Sequence, residues 1–169
     1  IEFGFNHVST GQLLRDEVAK GTELGCCARV FLERGALVPD GTVLELMGRW
    51  MEVAGPDNGC LSDGFPRTLA QAVELDHWLG ARGLKIDIAF YFHCDEALVV
   101  DRIAGRRVCS KCGRNFHLQS MPSKSDGVCD DCGGTLAQRE DDSEAVVRRR
   151  FQIYTELTEP LVSYYAHWD

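Results

Sequence analysis

The sequence predicts an α/β fold, a parallel sheet flanked by helices, with a metal-binding insertion between two of those helices. Three observations predict it. Short apolar runs that end on turn residues alternate with segments of helical periodicity, the order that builds parallel sheets. One run, IDIAFYFHC at 86–94, is apolar almost throughout, as a strand buried on both faces is. Residues 107–138 lose that periodicity and carry two C-x-x-C pairs.

The elements follow in order. Residues 3–8, FGFNHV, read as the end of a strand or turn running into Ser9-Thr10-Gly11. GQLLRDEVAK at 11–20 has helical spacing, with Gly21 to stop it. A second short helix over 23–35 also closes on glycine. A third, over 37–55, enters through Pro39-Asp40 and keeps Val43, Leu46, Met47, Trp50, Met51 and Ala54 on one face. A turn at Pro56-Asp57-Asn58-Gly59 leads to the short strand Cys60-Leu61-Ser62, which ends on Asp63. The loop Gly64-Phe65-Pro66-Arg67-Thr68 opens a helix over 69–80. The strand at 86–94 and a helix over 95–106 precede the insertion, and a long amphipathic helix over 143–167 follows it. Ligands of parallel sheets sit at the carboxyl ends of strands, and Asp63 lies at such an end.

Composition limits the function classes. A chain of 169 residues is one domain, or one with a small insertion. Its 18 basic against 26 acidic residues give a net charge of −8, the wrong sign for a wrap-around nucleic-acid binder. No apolar run approaches the ~20 residues that span a bilayer, and no signal segment opens the chain. A soluble, cytoplasmic protein without membrane or nucleic-acid partners is expected. Nothing demands an oligomer, so a monomer is expected.

Cys109-x-x-Cys112 and Cys129-x-x-Cys132, 16 residues apart, match the spacing of a structural zinc site. Each pair brings two sulfurs to one metal from a tight turn, and four thiolates leave no open position for a water. Such a zinc holds structure and does no chemistry. A redox role would need only one pair. Cys26, Cys27, Cys60 and Cys94 read as small core residues. Residues 106–140 hold six Lys/Arg and four Asp/Glu, so the ribbon with its four thiolates and metal is close to neutral. That is a poor electrostatic footprint for nucleic acid.

The basic residues are 14 Arg and only 4 Lys. Arginine grips phosphate bidentately where lysine does not. Arginines placed by codon usage alone would scatter. Here Arg102 and Arg106, four apart on the predicted helix and so on one face, point at the entrance to the ribbon. Arg139 leaves it on the other side, Arg148–Arg150 follow, and Arg15 and Arg67 lie at two early loop–helix junctions. A polyphosphate bound between flap and body would need that arrangement, because phosphoryl transfer is catalysed mainly by positioning and charge neutralisation.

Five ordered motifs together resemble adenylate kinase: Ser9-Thr10-Gly11 with Leu14-Arg15; Gly35 with Leu37-Val38-Pro39-Asp40; Asp63 through Thr68 with Gln71; Asp101-Arg102-Ile103 with Gly105-Arg106-Arg107; and Gln138-Arg139 with Asp141-Asp142. The cysteine quartet resembles the zinc-lid bacterial form. The resemblance implies an incomplete parallel sheet of P-loop nucleoside monophosphate kinase type, with a helical AMP-binding subdomain and a zinc-ribbon lid insertion. The implied domains are a core of 1–8, 39–104 and 143–169, an AMP-binding subdomain of 9–38 and a lid of 105–142. Implied AMP contacts are Thr10, Arg15, Leu37, Val38, Gly64, Arg67 and Gln71, with Arg15 and Arg67 on the phosphate and Gln71 on the adenine edge. Implied ATP contacts are Arg102, Arg106 and Phe116. Arg139 and Arg150 would close over the phosphates, Asp63 would hold the water shell of Mg²⁺, and Cys109, Cys112, Cys129 and Cys132 would hold Zn²⁺. The implied catalytic set is Arg67, Arg102, Arg139, Arg150 and Asp63, and the implied reaction is ATP + AMP to two ADP.

The sequence departs from the family at several points. Gln12 stands where the family has Asp, a loss of ~0.3–1 kcal/mol at a helix N-terminus. Cys60 and Ser62 replace bulkier apolar residues, and Ser62 would need a hydrogen-bond partner if buried. No G-x-x-x-x-G-K-[ST] occurs. The family resemblance therefore implies a kinase clipped at both ends, lacking the loop that cradles ATP phosphates. Such a segment is expected to expose strand edges and apolar surface and to turn over poorly. Two other readings stay open at this point: a different nucleoside monophosphate kinase, and a non-catalytic zinc-ribbon binding module.

Overall fold

The computed structural model describes residues 4–54 and 59–166. The predicted turn at 56–59 lies mostly outside them. The chain divides into two compact units, one of Ile1–Leu32, Ala36–Tyr91 and Ile153–Asp169, the other of Glu33–Gly35 and Phe92–Gln152.

In the first unit, β1 (Asn6–Ser9) and β2 (Cys60–Asp63) pair in parallel, with Asn6 opposite Cys60 and Ser9 opposite Asp63. Between them the chain forms three helices: α1 (Thr10–Lys20), α2 (Glu23–Glu33) and α3 (Asp40–Ala54). Gly21 ends α1 in the left-handed conformation, φ 67°, where only glycine sits without strain. Thr22 then starts α2, its hydroxyl accepting the Gly25 N–H at 3.0 Å. The helices turn so tightly there that a Cβ on Gly25 would lie 2.1 Å from the Glu17 carbonyl oxygen. α4 (Leu69–Gly80) is capped by Thr68, whose hydroxyl accepts the Gln71 N–H at 3.2 Å. One apolar cluster joins these elements: Val8, Leu14, Ala28, Val38, Val43, Leu46, Met47, Phe65 and Leu75. The unit closes with a π-helical turn (Tyr154–Thr158) and the C-terminal α7 (Pro160–Ala166).

In the second unit, α5 (Glu96–Ala104) leads into a three-stranded antiparallel ribbon. Its strands are β3 (Arg106–Cys109), β4 (Asn115–His117) and β5 (Leu136–Ala137), with β3 in the middle. A single 3-10 turn, Glu140–Asp142, precedes α6 (Glu144–Ile153).

Four expectations are corrected. Cys26, Cys27 and Cys60, read as small core residues, are exposed, and Cys94 is half-buried. The apolar run at 86–94 forms no strand, and Ile88, Phe90 and Phe92 are 67%, 71% and 85% exposed. A parallel strand is stabilised by neighbours at its edges, and the two-stranded ladder here does not extend to it. The helix predicted over 95–106 stops at Ala104, so Arg106 sits on β3 and does not share a helix face with Arg102. Packing against the ribbon ends it: a Cβ on Gly105 would lie 2.3 Å from His117 Nε2, and the His117 ring is within 3.2 Å of the Asp101 carbonyl. The long helix over 143–167 is two helices, because its register widens at Tyr154–Thr158 before Pro160, which lacks an N–H and opens α7. No helix among the described residues is long and apolar enough to cross a membrane.

Candidate active site

The carboxyl ends of β1 and β2 set the first cluster. Their register puts Ser9 beside Asp63, so Thr10 and Gly64, the next residues of each segment, are brought together. The Thr10 hydroxyl donates to the Gly64 carbonyl at 2.8 Å, and Arg67 Nε donates to the same oxygen at 3.0 Å. Gly64 has φ +74°, and a Cβ on it would lie 2.8 Å from Arg67 Nη2. Only glycine therefore lets the guanidinium fold back over the turn. Asp63 is exposed at the strand end, and the Phe65–Pro66 peptide is cis.

Arg15, one turn along α1, lies over the helix start: a Cβ on Gly11 would be 3.4 Å from its Nη1. Its Nη2 donates to Gln12 Oε1 at 3.4 Å, and Gln12 Nε2 donates to Asp16 at 2.7 Å. Gln12, a departure from the family motif, thus contacts Arg15. Leu37 is half-buried and Val38 is in the core beside the start of α3.

Gln71 is 2% exposed and its amide is engaged at both ends. Nε2 donates to Asp40 Oδ1 at 2.7 Å, and Oε1 accepts the Arg67 backbone N–H at 2.8 Å. Asp40 Oδ2 accepts the Thr68 hydroxyl at 2.9 Å. The role of Asp40 is not visible from spacing, since an Asp in the first turn of a helix is ordinary there. Ser62, exposed on its strand, still donates to the Phe65 carbonyl at 2.8 Å.

The second unit gathers arginines of its own. Arg106 grips Asp142 with Nε at 2.8 Å and Nη2 at 2.6 Å, and Asp142 is fully buried. Asp142 holds the Arg106 pKa above its ordinary value against the opposing effect of burial. Burial pushes the pKa of Arg139 down, and the nearby positive charges of Arg106 and Arg150 push it further, against the pull of Asp142 and Asp141. Arg150 Nη1 reaches Asp141 at 3.3 Å. So Arg106, Arg139 and Arg150 converge on two adjacent carboxylates, an incompletely neutralised cationic cluster. Arg102 is exposed on α5. Arg148 is paired with Glu96 and Glu144, away from that cluster's carboxylates.

In the ribbon, the Sγ atoms of Cys109, Cys112, Cys129 and Cys132 all lie within 4.8 Å of one another, with Cys109–Cys132 at 3.4 Å and Cys112–Cys129 at 3.6 Å. A tetrahedral Zn²⁺ with Zn–S of about 2.3 Å places its sulfurs about 3.8 Å apart, so the quartet fits that ion. Backbone N–H groups of Cys112 and Lys111 turned toward Cys109 lower its pKa to about 6, favouring the thiolate a metal needs. Phe116 is 4% exposed, packed with Cys109 and Cys129, and the Arg114 guanidinium lies 5.4 Å from its ring centroid.

The family model for adenylate kinase matches residues 1–169. The chain belongs to the adenylate kinase family. It is 46% identical to an adenylate kinase of Pseudothermotoga lettingae over 169 residues, all of this chain and 78% of that protein. It is 47% identical to one of Fervidobacterium nodosum over 161 residues, 95% of this chain and 74% of the relative. It is 45% identical to one of Archaeoglobus fulgidus over 164 residues, 97% and 76% of the two chains. As a member of this family the protein is a phosphotransferase acting on nucleoside monophosphates. A ribbon that only binds partners and a kinase of another nucleotide class are not favoured. The mixed α/β content and the small parallel sheet agree with the nucleoside monophosphate kinase fold.

Proposed function

We propose that the protein transfers the γ-phosphoryl group of ATP to AMP, giving two ADP. The convergence of Thr10 and Arg67 on the Gly64 carbonyl carries this reading. It supports a monophosphate site at the strand ends, where Arg15 and Arg67 take the phosphate of AMP. Leu37, Val38, Gly64 and Gln71 take its base. Arg102, Arg106, Arg139 and Arg150 take ATP phosphates, with Phe116 on the ribbon side. The incomplete pairing of Arg139 supports that role, because an anion arriving there gains a desolvated cation. Asp63, exposed and anionic at the strand end, suits the water shell of Mg²⁺. Bound there with ATP, Mg²⁺ would neutralise phosphate charge.

The proposed domains are a core of 1–8, 39–104 and 143–169, an AMP-binding subdomain of 9–38 and a zinc-holding lid of 105–142. Zn²⁺ in that lid would be structural, all four of its positions filled by thiolates. The proposed state is a cytoplasmic monomer.

Titration of AMP into the protein tests the monophosphate site without requiring turnover. Arg67→Ala is expected to weaken AMP binding about tenfold or more, the loss of a charge-assisted phosphate contact. Adenosine binding should change far less. Equal loss for AMP and adenosine, or no loss for either, overturns the assignment.

A further inference from the structure

Gln71 is a side chain whose two ends look alike in shape and opposite in chemistry. Rotated by half a turn, its amide exchanges a donor for an acceptor in the same place. A base edge offers the same choice. Adenine presents an N6–H donor beside the N1 acceptor, and a 6-oxopurine presents an O6 acceptor beside an N1–H donor. A free glutamine serves either base by rotating, so it discriminates between them only if something prevents the rotation.

Two partners prevent it here. The Asp40 carboxylate can only accept, and it accepts a hydrogen bond from Gln71 Nε2 at 2.7 Å. The Arg67 backbone N–H can only donate, and it gives to Oε1 at 2.8 Å. Rotation would set oxygen against carboxylate and N–H against N–H. Asp40 is itself fixed by the Thr68 hydroxyl at 2.9 Å, and Thr68 in turn accepts the Gln71 backbone N–H at 3.2 Å. The ring of contacts is closed. After these bonds the amide keeps one N–H and one oxygen lone pair, each at a fixed side.

We infer that Asp40 is the specificity-positioning residue of the monophosphate site: it locks the Gln71 amide in the orientation that accepts a 6-aminopurine and refuses a 6-oxopurine. Asp40 touches no substrate in this role, and the inference rests on the reading of Gln71 as the residue that meets the base. In Asp40→Asn the new side chain can donate or accept, so it tolerates both orientations of Gln71 while keeping its shape.

The test titrates AMP and inosine 5′-monophosphate into the whole chain, its Asp40→Asn variant and its Gln71→Leu variant, and compares the ratio of the two affinities. Because a change in stability alone moves both ligands together, only the ratio reports the lock. The expected result is that Asp40→Asn lowers the AMP preference about tenfold, the size of one well-made pair of hydrogen bonds to a base. Gln71→Leu should lower it at least as far. If Gln71→Leu lowers the ratio and Asp40→Asn leaves it intact, the lock is overturned and the base-reading role stands. If Gln71→Leu leaves the ratio intact, the base-reading role falls and the lock with it. Should Asp40→Asn not fold, proton NMR of the unaltered protein decides: a strong Overhauser contact between the Gln71 side-chain amide protons and the Arg67 amide proton means the opposite orientation and overturns the inference.

Discussion

Asp142 has no exposed surface, yet it carries two short hydrogen bonds from Arg106 and lies near Arg139. Removing a carboxylate from such a place leaves the half-buried Arg106 and Arg139 guanidinium groups to repel each other without it. Asp142→Ala is therefore expected to destabilise the second unit by about 3 kcal/mol or more, measured as a shift in the urea midpoint. Asp142→Asn, which keeps acceptor capacity at one oxygen, should cost less. The sequence places Asp141 and Asp142 after Arg139 but does not say which arginine takes which carboxylate. That pairing depends on the chain between Arg106 and Asp142, 36 positions apart, folding back as a ribbon. Asp40 was hidden for a related reason: its partners are 28 and 31 residues further along, and no local pattern connects them. Gln12 shows the reverse case, a residue that looks like a small loss at a helix start and turns out to accept a long hydrogen bond from Arg15.

Helices with strong periodicity and clear stops were legible: α4 is predicted and found over the same residues, and α1 and α3 differ only at their ends. Two elements were not, because tertiary contact decided them. α5 stops where the His117 ring occupies the space a longer helix would need, and among the described residues the run at 86–94 has no neighbouring strand of the kind that makes an extended chain a strand. The ribbon is the element most exposed to a single change of conditions. Among the described residues its buried cluster is Cys109, Phe116 and Cys129, with Cys132 and Leu136 against it. So small a core does not hold three short strands without help. With zinc bound as proposed, a zinc chelator should abolish amide-exchange protection over 106–137 while the helices of the first unit keep theirs. Unchanged protection of the ribbon after complete metal removal would refute a structural metal.

At the scale of the whole chain, alkaline pH is the condition that reaches the first unit. Burial and the neighbouring Tyr91 hydroxyl raise the Tyr154 pKa to about 12, above the ordinary 10. Between those values the folded chain keeps a proton that the unfolded chain releases, so unfolding becomes more favourable as pH rises. The stabilising effect is complete below pH 10 and is lost as pH climbs to about 12. Denaturant midpoints measured across that interval should fall, and Tyr154→Phe should fall less steeply. A slope unchanged by the substitution would exclude Tyr154 as its source. The parallel α/β organisation was legible from the alternation of apolar runs with helices. The division into two units was legible only in part: the cysteine-rich stretch 107–138 marks the insertion, but no shift of composition marks residues 33–35, 92–106 and 139–152, which join it in one unit.

The parallel pairing of β1 with β2 also has a kinetic consequence. Thr10 meets Gly64 across 54 residues of chain. Closing a loop of that length is entropically costly before any contact rewards it. The three helices inside the loop rest on local bonds and can form early. The two strands cannot pair until those helices have packed and shortened the gap. A nascent or partly unfolded chain can therefore be rich in helix and still have no place for a phosphate. Nucleotide binding, followed in time during refolding, would mark the last commitment of the chain rather than its first collapse.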